Sequence, residues 1–275
     1  MTIAARNAAL RIGSFICFLV VIGSAVVMSR IVTIPLDRVY EAVGPLEARV
    51  FPSGDVAGSI LWTAWFLGFI PVFSFAAGLL FVRYFRKTTA PEIFFFIVFL
   101  MSLVFDSMKL LNVLLIAENL PIELQNLVTR VVTFGYVFGV ACLFLSSLYS
   151  AGIDYQKTEA IVGITALISF AFAYTIPVNT LVFYPNLIHR VGDGSMIPIV
   201  VTFMYTVTFL NLVQSAIRST SWSDVQLACA VLLTAAGREL IFRGAGPVGL
   251  SLGAILLIAG AVWFGVKKYS AYLWV

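Results

Sequence analysis

Long apolar runs dominate this sequence and restrict what it can fold into. A helix rises about 1.5 Å per residue, so about 20 apolar residues cross the hydrocarbon core of a bilayer. Eight runs approach or exceed that length. They cover residues 10–33, 57–83, 91–117, 123–150, 159–182, 196–217, 225–243 and 247–270. The sequence therefore predicts about eight transmembrane helices.

Composition supports a membrane protein over a soluble one. Hydrophobic residues make up 61% of the chain and charged residues 11%, whereas soluble domains carry roughly a quarter charged residues. Backbone groups in lipid must be satisfied within the segment, which favours helices. We therefore expect an all-α, polytopic integral membrane helical bundle in which residues 1–275 form a single transmembrane domain. The stretches 35–58 and 177–196 are its longer outer loops.

The number of spans depends on the segment "RGAGP" at 243–247. Its glycines and proline predict a tight turn between the last two runs, which gives eight spans. Seven would result if the last two runs formed one broken, re-entrant unit.

The distribution of Lys and Arg predicts the orientation of the bundle. With eight spans, most of these residues fall on the side that holds both termini, and cytoplasmic loops are enriched in positive charge. They are Arg6, Arg11, Arg83, Arg86, Lys87, Lys157, Arg218, Lys267 and Lys268. We expect both termini to be cytoplasmic, in a bacterial inner (cytoplasmic) membrane. The net charge of +4 is explained by this bias, so a nucleic-acid partner has no support.

Charged residues inside the apolar runs are the strongest functional signal. A charge facing lipid costs a few kcal/mol, so such residues are expected to face the bundle interior and one another. Asp106, Lys109, Arg130, Arg238 and Glu239 fall between the midplane and the outer leaflet. We expect these five residues to converge there with an excess of positive charge.

Polar neighbours favour a pocket around these charges. Ser102, Asp106, Lys109 and Asn112 follow three- and four-residue spacing, which places them on one helix face. Tyr205 adds a hydroxyl group from the sixth run. The two longer loops face the same side and suit a lid or a ligand entrance, although they also fit ordinary interfacial connectors.

Three hypotheses follow for function. The first is a ligand-binding or sensing module with an outward-facing charged pocket for a small polar or anionic molecule, acting with a partner membrane or cytoplasmic protein. The second is a secondary transporter of a small solute, with proton coupling through Asp106 and Glu239. The third is purely structural: Asp106 pairs with Lys109, Glu239 pairs with Arg130 or Arg238, and the protein is a subunit of a membrane complex.

Enzymatic functions have little support in the sequence. One His and three scattered Cys do not provide the ligands of a metal centre or a haem. The stretch GLSLG at 249–253 matches G-x-S-x-G, but it follows no predicted strand and so lacks the strand–turn–helix context of a nucleophile elbow; no phosphate-binding loop is present. We therefore expect no cofactor, and membrane lipid as the constant partner.

Overall fold

The computed structural model contains eight helices that are long and apolar enough to cross a membrane, counted within the residues it describes. These residues are 3–35, 37–39, 41–42, 56–88, 90–152, 157–192, 195–219, 222–244 and 246–273. The helices are α1 Ile3–Ile31, α2 Val56–Tyr84, α3 Pro91–Ala117, α4 Ile122–Ser150, α5 Thr158–Thr175, α6 Met196–Ser219, α7 Trp222–Arg243 and α8 Pro247–Leu273. This architecture confirms the predicted all-α membrane bundle, in contact with lipid.

Successive helices run in opposite directions, which gives the bundle two faces. The terminal face holds the start of α1 and the end of α8. The hairpin face holds the connections 117–122, 175–196 and 243–247. Most of the predicted outer loop 35–58 lies outside the described residues.

Helices α3 and α4 form the centre of the bundle. In their most apolar windows, 83% and 67% of residues are buried, against 17% in both α5 and α6. Helix α1 packs on α2 and α3, helix α5 packs on α4, and α6 contacts both α4 and α7. The polar face of α3 is thereby enclosed on several sides, whereas α5 and α6 present most of their surface to lipid.

The middle of α3 narrows to a 3₁₀ helix from Leu103 to Met108. Two serines mark this segment: the Ser102 hydroxyl donates to the Phe99 carbonyl at 2.7 Å, and the Ser107 hydroxyl donates to the Val104 carbonyl at 2.7 Å. Side-chain bonds of this kind compete with the α-helical ladder. Because Asp106 belongs to the 3₁₀ segment, this irregular backbone lies beside the charged residues.

Glycine allows α7 and α8 to pack in close contact. A Cβ atom on Gly260 would lie 2.6 Å from the Thr234 backbone nitrogen and 2.6 Å from the Ala230 carbonyl oxygen, and one on Gly237 would lie 2.4 Å from the Leu257 nitrogen. Small residues permit this approach where lipid supplies no hydrophobic drive between helices. The predicted turn at 243–247 therefore joins two tightly packed antiparallel helices and supports eight separate spans.

A short β-hairpin follows α5 and was not predicted. Strand β1 (Val178–Phe183) pairs antiparallel with β2 (His189–Val191). The fifth span was predicted to reach residue 182, but the helix ends at Thr175. Ile176 precedes Pro177 and is extended, with φ −73° and ψ 129°, because the proline ring disfavours helical geometry in the preceding residue. The outer loop 177–196 is thus a folded element.

Substituting Gly260 with Ala should destabilise the bundle by about 1–3 kcal/mol, because the new methyl group meets backbone atoms of α7. Gly249→Ala on the same helix is the matched control, since a Cβ there has no neighbour within 4 Å. It should be neutral or slightly stabilising, because alanine favours the helix. Thermal unfolding in detergent measures both effects. Equal unfolding temperatures for the two variants would contradict this packing.

Candidate functional site

Arg238 and Asp106 form an ion pair in the interior of the bundle. Both side chains are fully buried, and Arg238 Nη2 lies 3.7 Å from Asp106 Oδ1. Arg238 also donates to the Ser102 hydroxyl at 3.2 Å and to the Gly135 carbonyl at 3.4 Å. Neither carboxylate oxygen of Asp106 has a hydrogen-bond partner. The pair joins α7 to α3 and α4.

Aromatic rings and a glycine complete the environment of the Arg238 guanidinium. Its central carbon lies 5.4 Å from the ring centroids of both Phe99 and Tyr136, a distance at which a cation is attracted to a ring face. A Cβ on Gly139 would lie 2.3 Å from Arg238 Nη1. A side chain at position 139 would therefore displace the guanidinium from its place against α4.

Lys109 is buried with these residues but pairs differently from the sequence-based hypothesis. Its ammonium group donates to the Phe242 carbonyl at 2.8 Å and lies 4.1 Å from the centroid of the Phe242 ring. It is not within ion-pair distance of Asp106; the carboxylate pairs with Arg238 instead. Lys109 thus connects α3 to the last turn of α7.

The tip of the β-hairpin inserts over this region. Asn112 donates to the Leu187 carbonyl at 3.2 Å, and Asn186 donates to the same Phe242 carbonyl at 3.1 Å. Leu187 is fully buried and has a φ of 63°, a left-handed conformation that costs of order 1–3 kcal/mol for a residue with a side chain. Burial and the Asn112 bond stabilise this turn, so the hairpin tip is a fixed part of the bundle.

Glu239 lies next to Arg238 in sequence but has other partners. It accepts a hydrogen bond from the Tyr136 hydroxyl at 2.6 Å and pairs with Arg243 at 2.8 Å. The Glu239 side chain is 21% exposed and that of Arg243 is 49% exposed. This second charged group, Tyr136–Glu239–Arg243, lies toward the hairpin face.

Arg130 is the predicted site residue that the structure does not bring to the cluster. It donates to the Asn126 side chain at 3.0 Å and to the Tyr174 carbonyl, and it lies 4.9 Å from the Tyr174 ring centroid. Tyr205 lies beside Glu239 in a groove between α6 and α7. The other predicted residues, Ser102, Asp106, Lys109, Asn112, Arg238 and Glu239, lie in or beside the interface of α3, α4 and α7.

A cavity of about 330 Å³ opens between the hairpin, the middle of α4, the start of α6 and the end of α7. Its described lining is mostly apolar and contains two arginines, one histidine and no acidic residue. The lining residues are Thr133, Tyr136, Tyr184, Pro185, Asn186, Ile188, His189, Arg190, Val191, Ile197, Pro198, Phe242 and Arg243. Such a cavity is within the size range of small-molecule sites, which combine apolar walls with a few polar groups.

The cavity and the buried cluster meet at two aromatic residues. Phe242 lines the cavity, stacks on Tyr136 with ring centroids 3.7 Å apart, and supplies the carbonyl that Lys109 and Asn186 share. Tyr136 lies between Arg238 and Glu239. A molecule in the cavity would therefore contact the residues that hold the buried charges in place.

Sequence reasoning did not select the residues that line this cavity. His189 and Arg190 fall in the predicted loop 177–196, Arg243 begins the predicted turn 243–247, and Tyr136 and Phe242 lie within predicted spans. The available signal was the concentration of Tyr, Pro, Asn and His at 184–189 within an outer loop. Within the described part of the chain, no group of three or more His, Cys, Asp or Glu side chains converges as a metal site.

Removing one partner of the buried pair should destabilise the protein strongly. Arg238→Met leaves the Asp106 carboxylate without its cation, and breaking a buried pair costs about 3–5 kcal/mol. Adding Asp106→Leu should recover most of that loss. A double-mutant cycle by chemical unfolding measures the coupling. Additive losses in the double variant would contradict a direct interaction, and Arg130→Met at the periphery should cost less than Arg238→Met.

Hairpin stability should fall as pH falls, because burial lowers the pKa of His189 below its ordinary value of 6.5. The unfolded hairpin then binds a proton more readily than the folded one, so its stability is complete above pH 6.5 and decreases below it. Hydrogen exchange of amides 178–191 between pH 7 and pH 5, expressed as free energies of opening, measures this. His189→Gln should remove the dependence, and a dependence that persists in this variant would assign it to another group.

No protein-family model, curated protein or solved structure matches this chain.

Proposed function

We propose that this protein is a ligand-binding membrane module that senses a small anionic molecule with an apolar part. The observation that carries the proposal is the cavity beneath the β-hairpin, with Arg190 and Arg243 in its wall. Binding there is read out by the bundle, and a partner protein in the membrane or cytoplasm receives the signal.

The chemistry of the cavity supports an anionic ligand. Arginine presents five N–H donors and suits carboxylate and phosphate groups. The Arg243 Nε group faces Glu239, which leaves its terminal nitrogens able to bind a second acceptor. Apolar surface from Ile188, Ile197 and Phe242 accommodates the remainder of the molecule. A simple inorganic ion would leave most of these walls without a partner.

The contact between the cavity and the buried cluster supports sensing. A ligand that moves the Phe242 ring changes the carbonyl that holds Lys109, and Lys109 belongs to the most buried helix of the bundle. The neighbouring 3₁₀ segment is a place where the backbone of α3 can rearrange, since mid-helix 3₁₀ turns often mark hinges. In this proposal α3 has one arrangement without ligand and another with ligand. A partner protein that contacts the terminal face distinguishes them.

Transport is the less favoured alternative, because it requires a route from one face to the other. Asp106, Lys109 and Arg238 are each no more than 1% exposed and lie below the cavity without lining it. Their interactions join α3, α4 and α7 across the middle of the bundle. This arrangement supports a closed module with one accessible side.

Orientation and location follow from the same proposal. The concentration of Lys and Arg at the terminal face supports cytoplasmic termini and an outward hairpin face. In a bacterial inner membrane, the cavity would then sample the periplasm. Membrane lipid surrounds the bundle, and no nucleic acid takes part.

Phenyl phosphate is a suitable probe, with benzyltrimethylammonium as its cationic counterpart. Protein in nanodiscs should bind the phosphate and not the cation, as measured by isothermal titration calorimetry. Arg243→Gln should weaken phosphate binding about 10-fold or more, since a charge-assisted hydrogen bond contributes about 1.5–3 kcal/mol. Arg218→Gln, which removes a cation from the opposite face, should leave binding unchanged.

A second pair of variants tests the position of the site. Ile197 lines the cavity, whereas Ile199 on the same helix is 65% exposed and outside it. Ile197→Trp should abolish binding of phenyl phosphate by filling the cavity, and Ile199→Trp should not. The proposal fails if phenyl phosphate does not bind, or if Ile197→Trp binds phenyl phosphate like the unmodified protein.

A further inference from the structure

We infer that the cavity receives its ligand from the bilayer, through the groove between α6 and α7, and that the ligand is a single-chain amphiphile with an anionic head group. This inference rests on the proposed function and adds to it both a chemical class and a route. The anionic head lies at the arginines, and the apolar part contacts the cavity walls and extends into the groove.

A groove on the lipid-facing side of the bundle adjoins the cavity. It has a volume of about 670 Å³ and lies between α6 and α7, close to the hairpin face. Its described lining consists of Thr202, Tyr205, Thr206, Phe209, Glu239, Leu240, Arg243 and Gly244. Phe209 is 39% exposed and Thr206 is exposed, so the groove is open to lipid along α6.

Arg243 belongs to both spaces. It is a wall residue of the cavity and of the groove, and its side chain is 49% exposed. An anion bound at its terminal nitrogens would lie at the junction between the two. A chain attached to that anion can then extend along the groove, while the head group faces Arg190 within the cavity.

A hydrogen bond joins a wall residue of the cavity to a wall residue of the groove. Tyr136 lines the cavity, Glu239 lines the groove, and the Tyr136 hydroxyl donates to Glu239 Oε1 at 2.6 Å. Glu239 also holds Arg243 at 2.8 Å. We place the passage from the groove to the cavity at this contact, because it is formed by side chains and not by backbone.

The charge of the described lining selects among lipids. Arg190 and Arg243 outnumber the single acidic residue Glu239 in the described lining of the two spaces, which favours an anionic head group over a cationic one. A zwitterionic head group also carries a cationic group, which the same arginines repel. The groove lies between one pair of helices, which suits one chain better than two.

Lysophosphatidate, a single-chain phosphate lipid, is the test ligand, and lysophosphatidylcholine is its zwitterionic counterpart. Native mass spectrometry of the intact protein released from detergent measures how much of each stays bound. Lysophosphatidate should be retained at least about 10-fold more strongly than lysophosphatidylcholine, as expected when a charge-assisted contact is gained.

Thr206→Trp fills the groove from the exposed surface of α6 and should abolish retention of lysophosphatidate. Phe203→Trp is the matched control, because Phe203 is 68% exposed on the same helix and does not line the groove. Phenyl phosphate is small enough to enter the cavity directly from the hairpin face. Thr206→Trp should therefore still bind phenyl phosphate, which also shows that the variant is folded.

The possible outcomes distinguish a failure of the lipid route from a failure of the proposed function. Retention of lysophosphatidate that Thr206→Trp leaves unchanged, or equal retention of both lipids, overturns the lipid route while the proposed function stands. Absence of lysophosphatidate binding in a protein that binds phenyl phosphate does the same. If neither lysophosphatidate nor phenyl phosphate binds, the proposed function fails and the lipid route fails with it.

Discussion

Confinement of an arginine within the bilayer is the constraint on which this structure depends. A guanidinium group inside hydrocarbon must obtain its counter-charge and acceptors from the protein. Arg238 obtains them from Asp106 and Ser102 on α3 and from the Gly135 carbonyl on α4. These contacts fix the depth and rotation of α7 relative to the two central helices. The close packing of α7 on α8 then positions the last helix as well.

The remaining polar groups of the core follow from that arrangement. Once α7 is fixed, its last turn brings the Phe242 carbonyl to Lys109 and the Glu239 carboxylate to Tyr136. The hairpin tip adds a second donor to the same carbonyl through Asn186. Buried ionic and polar groups are therefore not distributed evenly. Asp106, Arg238, Lys109 and Glu239 with their partners form one continuous set that reaches the hairpin face, and the cavity lies at its outer end.

Much of the fold could be predicted from the sequence, because apolar length and the absence of water dictate spanning helices. The polar face of α3 was also predictable, since Ser102, Asp106, Lys109 and Asn112 share one helical face. Its buried position was implied by the cost of exposing a charge to lipid.

Several features could not be predicted because they depend on the rotation of each helix about its axis. Arg130 faces Tyr174 on α5 and not the cluster. Arg238 and Glu239 are adjacent, and neighbouring helical residues point in different directions, so one lies in the core and the other toward the cavity and groove. The hairpin was missed because its first strand continues the apolar character of α5. The cavity is lined partly by hairpin residues, so it could not be predicted without the hairpin.

The two contacts of the hairpin tip have a consequence for assembly during synthesis. Asn112, which binds the Leu187 carbonyl, precedes the hairpin in the chain, whereas Phe242, which accepts the bond from Asn186, follows it. A growing chain therefore exposes the hairpin before its second anchor has been translated. The hairpin can dock on α3 early, but it can be locked in place only after α7 has inserted. The cavity beneath the hairpin is in this sense one of the last parts of the molecule to form.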